Sequence, residues 1–217
     1  MDLSIIIVNY NVKEFIQNLL ESIKSASLNL KTEIIVVDNA SDDGSIELIK
    51  QKYPYVHLIE NHRNEGFSKA NNLGLKIAKG KYLLLLNPDT IVKEDTFEKM
   101  ISFFEATPEA GMAGCKLLNT DGTLQLACRR GFPGPWASFT KVTGLSTLFP
   151  KSPLFARYNL TYLDENKTYA VDAISGAFMM IRREVYEKIG GLDETFFMYG
   201  EDLDLCYRVN KAGYKVY

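Results

Sequence analysis

The chain has 217 residues, 46% hydrophobic and 24% charged, with a net charge of −2 and three cysteines. These values exclude a disordered segment, a collagen, a disulfide-stapled miniprotein and the strongly basic footprint of a general nucleic-acid binder. A chain this long buries ~70% of its unfolded surface and folds on its core alone.

The first half alternates two signals. Ser4 to Val8 is a short apolar run, read as a buried strand. Val12, Phe15, Ile16, Leu19, Leu20 and Ile23 follow at helical spacing. Glu33 to Val37 is a second buried strand, and Ile46, Leu48 and Ile49 mark a second helix with Ser41, Asp42 or Asp43 as cap. Tyr55 to Ile59 is read as a third strand, Ala70 to Ile77 as a third helix ended by Gly80, and Tyr82 to Leu86 as a fourth strand. Apolar strands alternating with helices predict a parallel sheet covered on both faces. Ligands of such sheets sit beyond the carboxyl ends of the strands, here Asn9-Tyr10-Asn11, Asp38-Asn39, Glu60-Asn61 and Asn87-Pro88-Asp89.

The second half is less regular. Phe97 to Phe104 predicts a helix and Gly111 to Leu118 a strand. Asn119 to Gly122 predicts a hairpin turn. Gly131 to Pro153 holds four of the seven prolines and the only tryptophan, Trp136, and reads as a long connection or loosely helical insert. Tyr169 to Ile181 is strand-like, Arg183 to Ile189 a short helix and Asp202 to Ala212 another. Cys115, Cys128 and Cys206 form no C-x-x-C pair, so neither a zinc ribbon nor a redox pair is expected, and a reducing compartment is. No basic start or long apolar stretch marks a secretory leader.

No G-x-G, no G-K-[ST] and no G-x-S-x-G occurs, so dinucleotide, Walker and esterase-elbow chemistry are not expected. Side chains must hold the ligand instead. Asp38 ends a strand and can meet a nucleobase or ribose; it serves equally as a turn former. Asn64 to Gly74 is a capped helix start or a pocket wall, and Gly66 permits close backbone approach or a positive φ. Asp89 ends another strand and can share Mg²⁺ with a diphosphate, although Asn-Pro-Asp is also good turn chemistry. Gly190 to Arg208 delivers Glu201, Asp202 and Asp204 at a helix start, more acid than a cap requires, and one can act as general base.

In this order and spacing, Ser4 to Asn11, Val37 to Ser45, Asn64 to Gly74, Asn87 to Thr90, Ser175 to Phe178 and Gly191 to Arg208 resemble the inverting family-2 glycosyltransferases. The likeness is greatest to the rhamnosyltransferase-like branch that builds bacterial surface polysaccharides. It implies the GT-A fold: an α/β chain with a mostly parallel Rossmann-like sheet flanked by helices and a smaller antiparallel acceptor-side portion. Residues 1–217 would form one catalytic domain, with a nucleotide-sugar half over about 1–90 and an acceptor half over about 91–217.

The resemblance assigns Asn9, Tyr10, Asn11, Asp38 and Asn39 to the base and ribose of the donor, and Gly66, Phe67, Asn71 and Asn72 to the opposite wall. It assigns Asp89 to Mg²⁺ or Mn²⁺, Ser175 and Gly176 to the border of the donor sugar, Asp202 to the catalytic base and Glu201 to orienting acceptor or base. Two positions depart from the pattern. Asn87 replaces the first acid of the D-x-D metal motif. Asn71 stands where some relatives carry an arginine toward the diphosphate, so the counter-charge falls to the metal, to Lys69 or to a cation elsewhere. The implied partners are a dTDP- or UDP-sugar donor and a glycan or lipid-linked acceptor, with no nucleic acid. The implied location is the cytoplasm, including the inner face of the cell membrane.

Gly213 to Tyr217 starts an alternating pattern as the sequence stops, which reads as a C-terminal truncation. Relatives of the branch continue into a strand, a metal-site histidine and a region that contacts membrane or a second subunit, so reduced metal binding and low activity are expected. The alternatives to transfer are a binding-only or inactive fragment and a sugar nucleotidyltransferase; the missing glycine loop argues against the latter.

Overall fold

A computed structural model describes residues 1–217. The chain order is β1 (Leu3–Asn9), α1 (Lys13–Ala26), β2 (Thr32–Asp38), α2 (Ser45–Lys52), β3 (His57–Glu60), α3 (Phe67–Ile77) and β4 (Tyr82–Leu86) in the first half. Then come α4 (Thr96–Ala106), β5 (Ala110–Ala113), β6 (Arg129–Arg130), α5 (Pro135–Val142), α6 (Leu145–Leu148), β7 (Ala173–Ile174), β8 (Phe178–Arg182), α7 (Arg183–Ile189), α8 (Glu201–Lys211) and β9 (Lys215–Val216).

Seven strands form one sheet in the order β3-β2-β1-β4-β8-β5-β9, and β6 pairs with β7 in a separate ribbon. The first four strands are parallel; β8 runs antiparallel to both β4 and β5. The mixed, mostly parallel sheet expected from the sequence is therefore present. Alternation along each central strand splits the interior in two. Leu3, Ile5 and Ile7 join a core with α1, α2 and α4, while Ile6 and Val8 join a second core with α3, α7 and α8. Two covered faces explain why these strands carry almost no polar residue.

Three expectations for the second half need correction. The strand predicted over Gly111 to Leu118 stops at Ala113, because its partners reach no further: β8 pairs it only as far as Ala113 opposite Met180, and the last rung toward β9 is the Gly114 N–H to the Tyr217 carbonyl at 2.9 Å. The turn at Asn119 to Gly122 forms, with the Asn119 N–H bonded to the Thr123 carbonyl at 2.8 Å, but its ladder shrinks to one bridge, Leu118 to Leu124. The strand-like run from Tyr169 to Ile181 breaks at Ser175–Ala177 into β7 and β8, which belong to different sheets.

That break matters for function. An antiparallel β8 starts where the parallel β4 ends, with Phe178 opposite Leu86. The Asn87 N–H donates to the Ala177 carbonyl at 3.0 Å. The turn before β8 is thereby fixed beside the carboxyl edge of the donor-half sheet.

Candidate active site

Asn9 and Asp38 end adjacent strands and face each other in register. Both are fully buried. Asn9 Nδ2 donates to Asp38 Oδ2 at 2.7 Å and to Ser41 Oγ at 3.2 Å, and Asp38 Oδ1 accepts from the Ser41 N–H at 2.8 Å. Asn11 sits at φ 53 and Ala40 at φ 66. Left-handed backbone at ordinary residues is costly and persists where neighbours enforce it. Here Asn11 donates its N–H to Ser41 Oγ and accepts from the Asp42 N–H. Tyr10 between them is exposed. Asp38 thus shapes the strand-end loops from beneath, while Tyr10 and Asn11 form their outer surface. Ser41, read from sequence as a cap, is the hub that joins the two loops.

Asn39 continues the edge. Its Nδ2 donates to the Gly66 carbonyl at 3.2 Å and its Oδ1 accepts from Asn61 at 2.8 Å. Gly66 has φ 86, and a Cβ placed there would lie 2.8 Å from both the Phe197 ring and the Phe197 carbonyl. Both properties expected of Gly66 are therefore used. The Phe67 N–H at the start of α3 donates to that same carbonyl at 2.7 Å. The Phe196–Gly200 loop is fastened to the donor half at this point.

The two asparagines of the expected wall are held in different ways. Asn71 Nδ2 bonds the Phe67 carbonyl one turn back along its own helix. Asn72 grips the segment before the acids: Nδ2 donates to the Leu192 carbonyl at 2.8 Å and to Glu194 at 3.0 Å, and Oδ1 accepts from the Leu192 N–H at 2.9 Å. Both are buried; Asn72 has its two donors and its oxygen engaged and so supports the wall rather than lining it, while Asn71 is anchored through one N–H.

The acids converge with the turn before β8. A Cβ on Gly176 would lie 3.8 Å from Asp202 Cβ, 3.8 Å from Phe67 Cε1 and 3.9 Å from Glu201 Oε1. Gly176, Phe67, Glu201 and Asp202 form one cluster. Ser175 Oγ accepts from the Ala177 N–H at 3.3 Å and shapes the turn itself. Tyr199 at φ 69 and Gly200 at φ 97 bend the chain into α8.

Asp202 has partners the sequence did not suggest. Arg130, on β6, forms an ion pair with Asp202 Oδ2, and the two side chains are 13% and 14% exposed. The Gly176 N–H donates to the same oxygen at 3.3 Å, and Asp202 Oδ1 accepts from the Leu203 N–H at 2.8 Å. Three of a carboxylate's roughly four lone-pair sites are filled, leaving room for one hydroxyl. Arg130 also donates to the Ile174 carbonyl at 2.9 Å, which fixes the guanidinium before it meets the acid. Glu201 differs. It is buried, its Oε2 has no hydrogen-bond partner, and burial pushes its carboxyl up, with the Asp202 charge adding to the rise.

Lys69 is bound to Glu65 at 2.6 Å, as is Arg63. The cation held beside the acids is Arg130. The sequence signal that could have found it is a run without a single acid, residues 122–163, in which two adjacent arginines stand out. A cavity of about 570 Å³, bordered by Cys115, Arg129, Tyr169 and Tyr217, contains none of these acids. Chemistry rather than volume singles out the site.

The donor set for a metal is small and hard. Asp89 is exposed at the end of β4, and Asn87 Oδ1, two residues before it, is buried without a hydrogen-bond partner. No group of three His, Cys, Asp or Glu side chains comes together. A carboxylate and an amide oxygen fit Mg²⁺ or Mn²⁺ that takes its other ligands from phosphate and water.

The sequence profile of "Glycosyl transferase family 2" matches residues 4–190. The chain belongs to this family. Among curated relatives it is 30% identical over 220 residues to the low-salt glycan biosynthesis hexosyltransferase Agl10 of Haloferax volcanii, covering 99% of this chain and 64% of Agl10. It is 30% identical to the rhamnosyltransferase WbbL of Escherichia coli K12, covering 98% of this chain and 78% of WbbL. It is 28% identical to an N-acetylglucosaminyl-diphospho-decaprenol L-rhamnosyltransferase of Mycobacterium tuberculosis, covering 87% of this chain and 66% of the relative. The chain thus spans about two thirds of the length of Agl10 and the mycobacterial enzyme. Among solved structures, the mannosyltransferase PcManGT of Pyrobaculum calidifontis in complex with GDP-Man and Mn²⁺ superposes with TM-score 0.68 at 19% identity, covering 99% of this chain and 53% of that one. Staphylococcus aureus TarS 1–349 in complex with UDP gives 0.69 at 18% identity, covering 100% and 57%. The fold is the GT-A fold of the family.

Proposed function

We propose that this chain transfers a hexosyl group, rhamnose-like or similar, from a nucleoside-diphosphate sugar to a hydroxyl of a glycan or lipid-linked acceptor, with inversion, in building a cell-surface polysaccharide. The observation that carries this reading is the cluster of Gly176, Phe67, Glu201 and Asp202 at the carboxyl edge of β4, with Arg130 holding Asp202. The names of the relatives, two rhamnosyltransferases and a hexosyltransferase, support the same chemistry.

The residues divide the work. Tyr10 and Asn11 offer a surface to base and ribose, held in shape by Asp38, Asn9 and Ser41, while the buried Asn39 ties that edge to Gly66 and Asn61. Gly176 leaves space for the donor sugar beside the acids. Asp202 takes the proton from the acceptor hydroxyl as that oxygen attacks the anomeric carbon. The bond from that carbon to the diphosphate oxygen breaks on the opposite face, which inverts the centre. Arg130 is a positioning residue that sets the Asp202 carboxylate. Glu201, with its raised carboxyl and free oxygen, completes the acceptor side. A divalent cation held by Asp89 and Asn87 would supply charge neutralisation to the departing diphosphate. A nucleoside-diphosphate leaving group needs no general acid once its charge is met.

The test is Asp202→Asn. General-base removal should lower kcat about 10²–10⁴-fold while leaving nucleoside-diphosphate binding unchanged. Release of nucleoside diphosphate rather than pyrophosphate marks transfer. Near wild-type transfer by the variant would overturn the assignment.

A further inference from the structure

We infer that the insert over residues 131–158 is a docking surface for an anionic lipid bilayer. Its first element is built inside out. A surface helix normally turns its apolar stripe to the core. Helix α5 buries Ala137 and Thr140 and presents Trp136 at 46%, Phe139 at 51% and Val142 at 88% exposure. Leu148 of α6 follows at 70%. The aromatics pack on one another: Trp136 lies 5.7 Å from Phe139 and 6.2 Å from Phe155, and Phe155 lies 5.3 Å from Phe149. Trp136 Nε1 is satisfied by the Leu154 carbonyl at 2.9 Å, so the cluster is fixed, not collapsed. An exposed apolar patch of this kind marks an interaction site.

Charge names the partner. From Gly122 to Leu163 there are five cations and no acid. The whole chain carries −2, so the remainder carries −7. Arg129 and Arg130 turn inward to the Leu163 carbonyl and Asp202. Lys141, Lys151 and Arg157 are exposed among the apolar groups. Aromatic and aliphatic side chains interleaved with basic ones on two short helices match the interface of an anionic membrane. A neutral glycan would use the aromatic groups and leave the cations without partners. No helix of the chain is long and apolar enough to cross a membrane, so the contact is to the surface.

The insert is rooted at the acids. The Gly131 N–H bonds the Tyr158 carbonyl at 2.8 Å and closes its base, one residue after Arg130. Docking there would set Asp202 close to the bilayer plane. Only that last consequence rests on the proposed transfer reaction.

The chain supplies its own probe, since Trp136 is its single tryptophan. Vesicles of mixed phosphatidylglycerol and phosphatidylcholine should co-sediment the protein and shift its fluorescence to the blue, with the shift reversed by high salt. Lys141→Glu with Lys151→Glu should lower that affinity about tenfold or more, at unchanged circular dichroism and Tm. Val142→Glu, at a position open to solvent, should also weaken binding. The proposal fails if vesicles leave fluorescence and sedimentation unchanged, or if neutral vesicles bind equally well. It also fails if light scattering shows a dimer that Val142→Glu dissociates while vesicles do not bind. Each readout is independent of sugar transfer, so an inactive protein that binds vesicles would sink the catalytic reading alone.

Discussion

Residues 1–90 and residues 91–217 both place polar groups at the edge of one sheet, by different means. In the first part the strands are sealed on two faces, and the edge groups lock one another locally: Asn9 to Asp38, Asp38 to Ser41, Asn39 to Asn61. In the second part the functional groups sit on irregular chain, held by side chains that reach far along the sequence. Arg130 reaches Asp202, Asn72 reaches Leu192, and Arg208 brackets the Ile189 and Gly191 carbonyls. Arg182 and Arg183 do the same for the carbonyls of Ala110 and Gly80. The first part is organised by periodicity and the second by individual long-range pins. The second should therefore break one residue at a time.

After loss of Asp202 itself, the largest effect on turnover is expected at Arg130. Arg130→Ala releases Asp202 and leaves it unpaired, and loss of positioning should lower kcat about 10²-fold with nucleotide affinity unchanged. Arg130→Lys should recover part of that loss, which a purely structural role would not show. Gly66→Ala comes next. The positive φ and the 2.8 Å approach to Phe197 should cost about 3 kcal/mol, a fall in Tm on the order of 10 °C. Asn72→Ala strands the Leu192 N–H and carbonyl and should cost about 2 kcal/mol by denaturant titration.

The smallest effect has a defined sign. Burial raises the Glu201 carboxyl, so the folded state holds that proton more readily than the unfolded state. Its contribution is intact at acid pH and is lost as pH rises through the raised value. Glu201→Gln should therefore melt higher than the wild type near neutral pH, and the two should converge in acid. Equal melting temperatures at both pH values would contradict the burial argument.

These tests also show why one part of the molecule was legible in sequence. Strands such as Leu3–Asn9 and Tyr82–Leu86 are read from uninterrupted apolar runs, since each core takes alternate residues and leaves no polar face. The residues that end them are then located by topology alone. The resemblance to the family placed Gly176, Glu201 and Asp202 in one list, and the structure brings them into contact. What a linear reading could not supply is direction. Asn71 and Asn72 share a helix start with Phe67, but Phe67 borders Gly176 beside the acids, while Asn71 bonds its own helix and Asn72 reaches Leu192. The partner of Asp202 lies 72 residues away on a two-residue strand, which no periodicity announces. The strand predicted through Leu118 failed for a similar reason: the apolar run continues past Gly114, but neither β8 nor β9 extends alongside it.

The central claim is that Arg130 acts on catalysis through Asp202. A double-mutant cycle on the rate of sugar transfer tests it directly. If the claim holds, Arg130→Ala combined with Asp202→Asn is no slower than Asp202→Asn alone, because the arginine has nothing left to position. If the two losses multiply, Arg130 works independently of the acid and the account of the site is wrong.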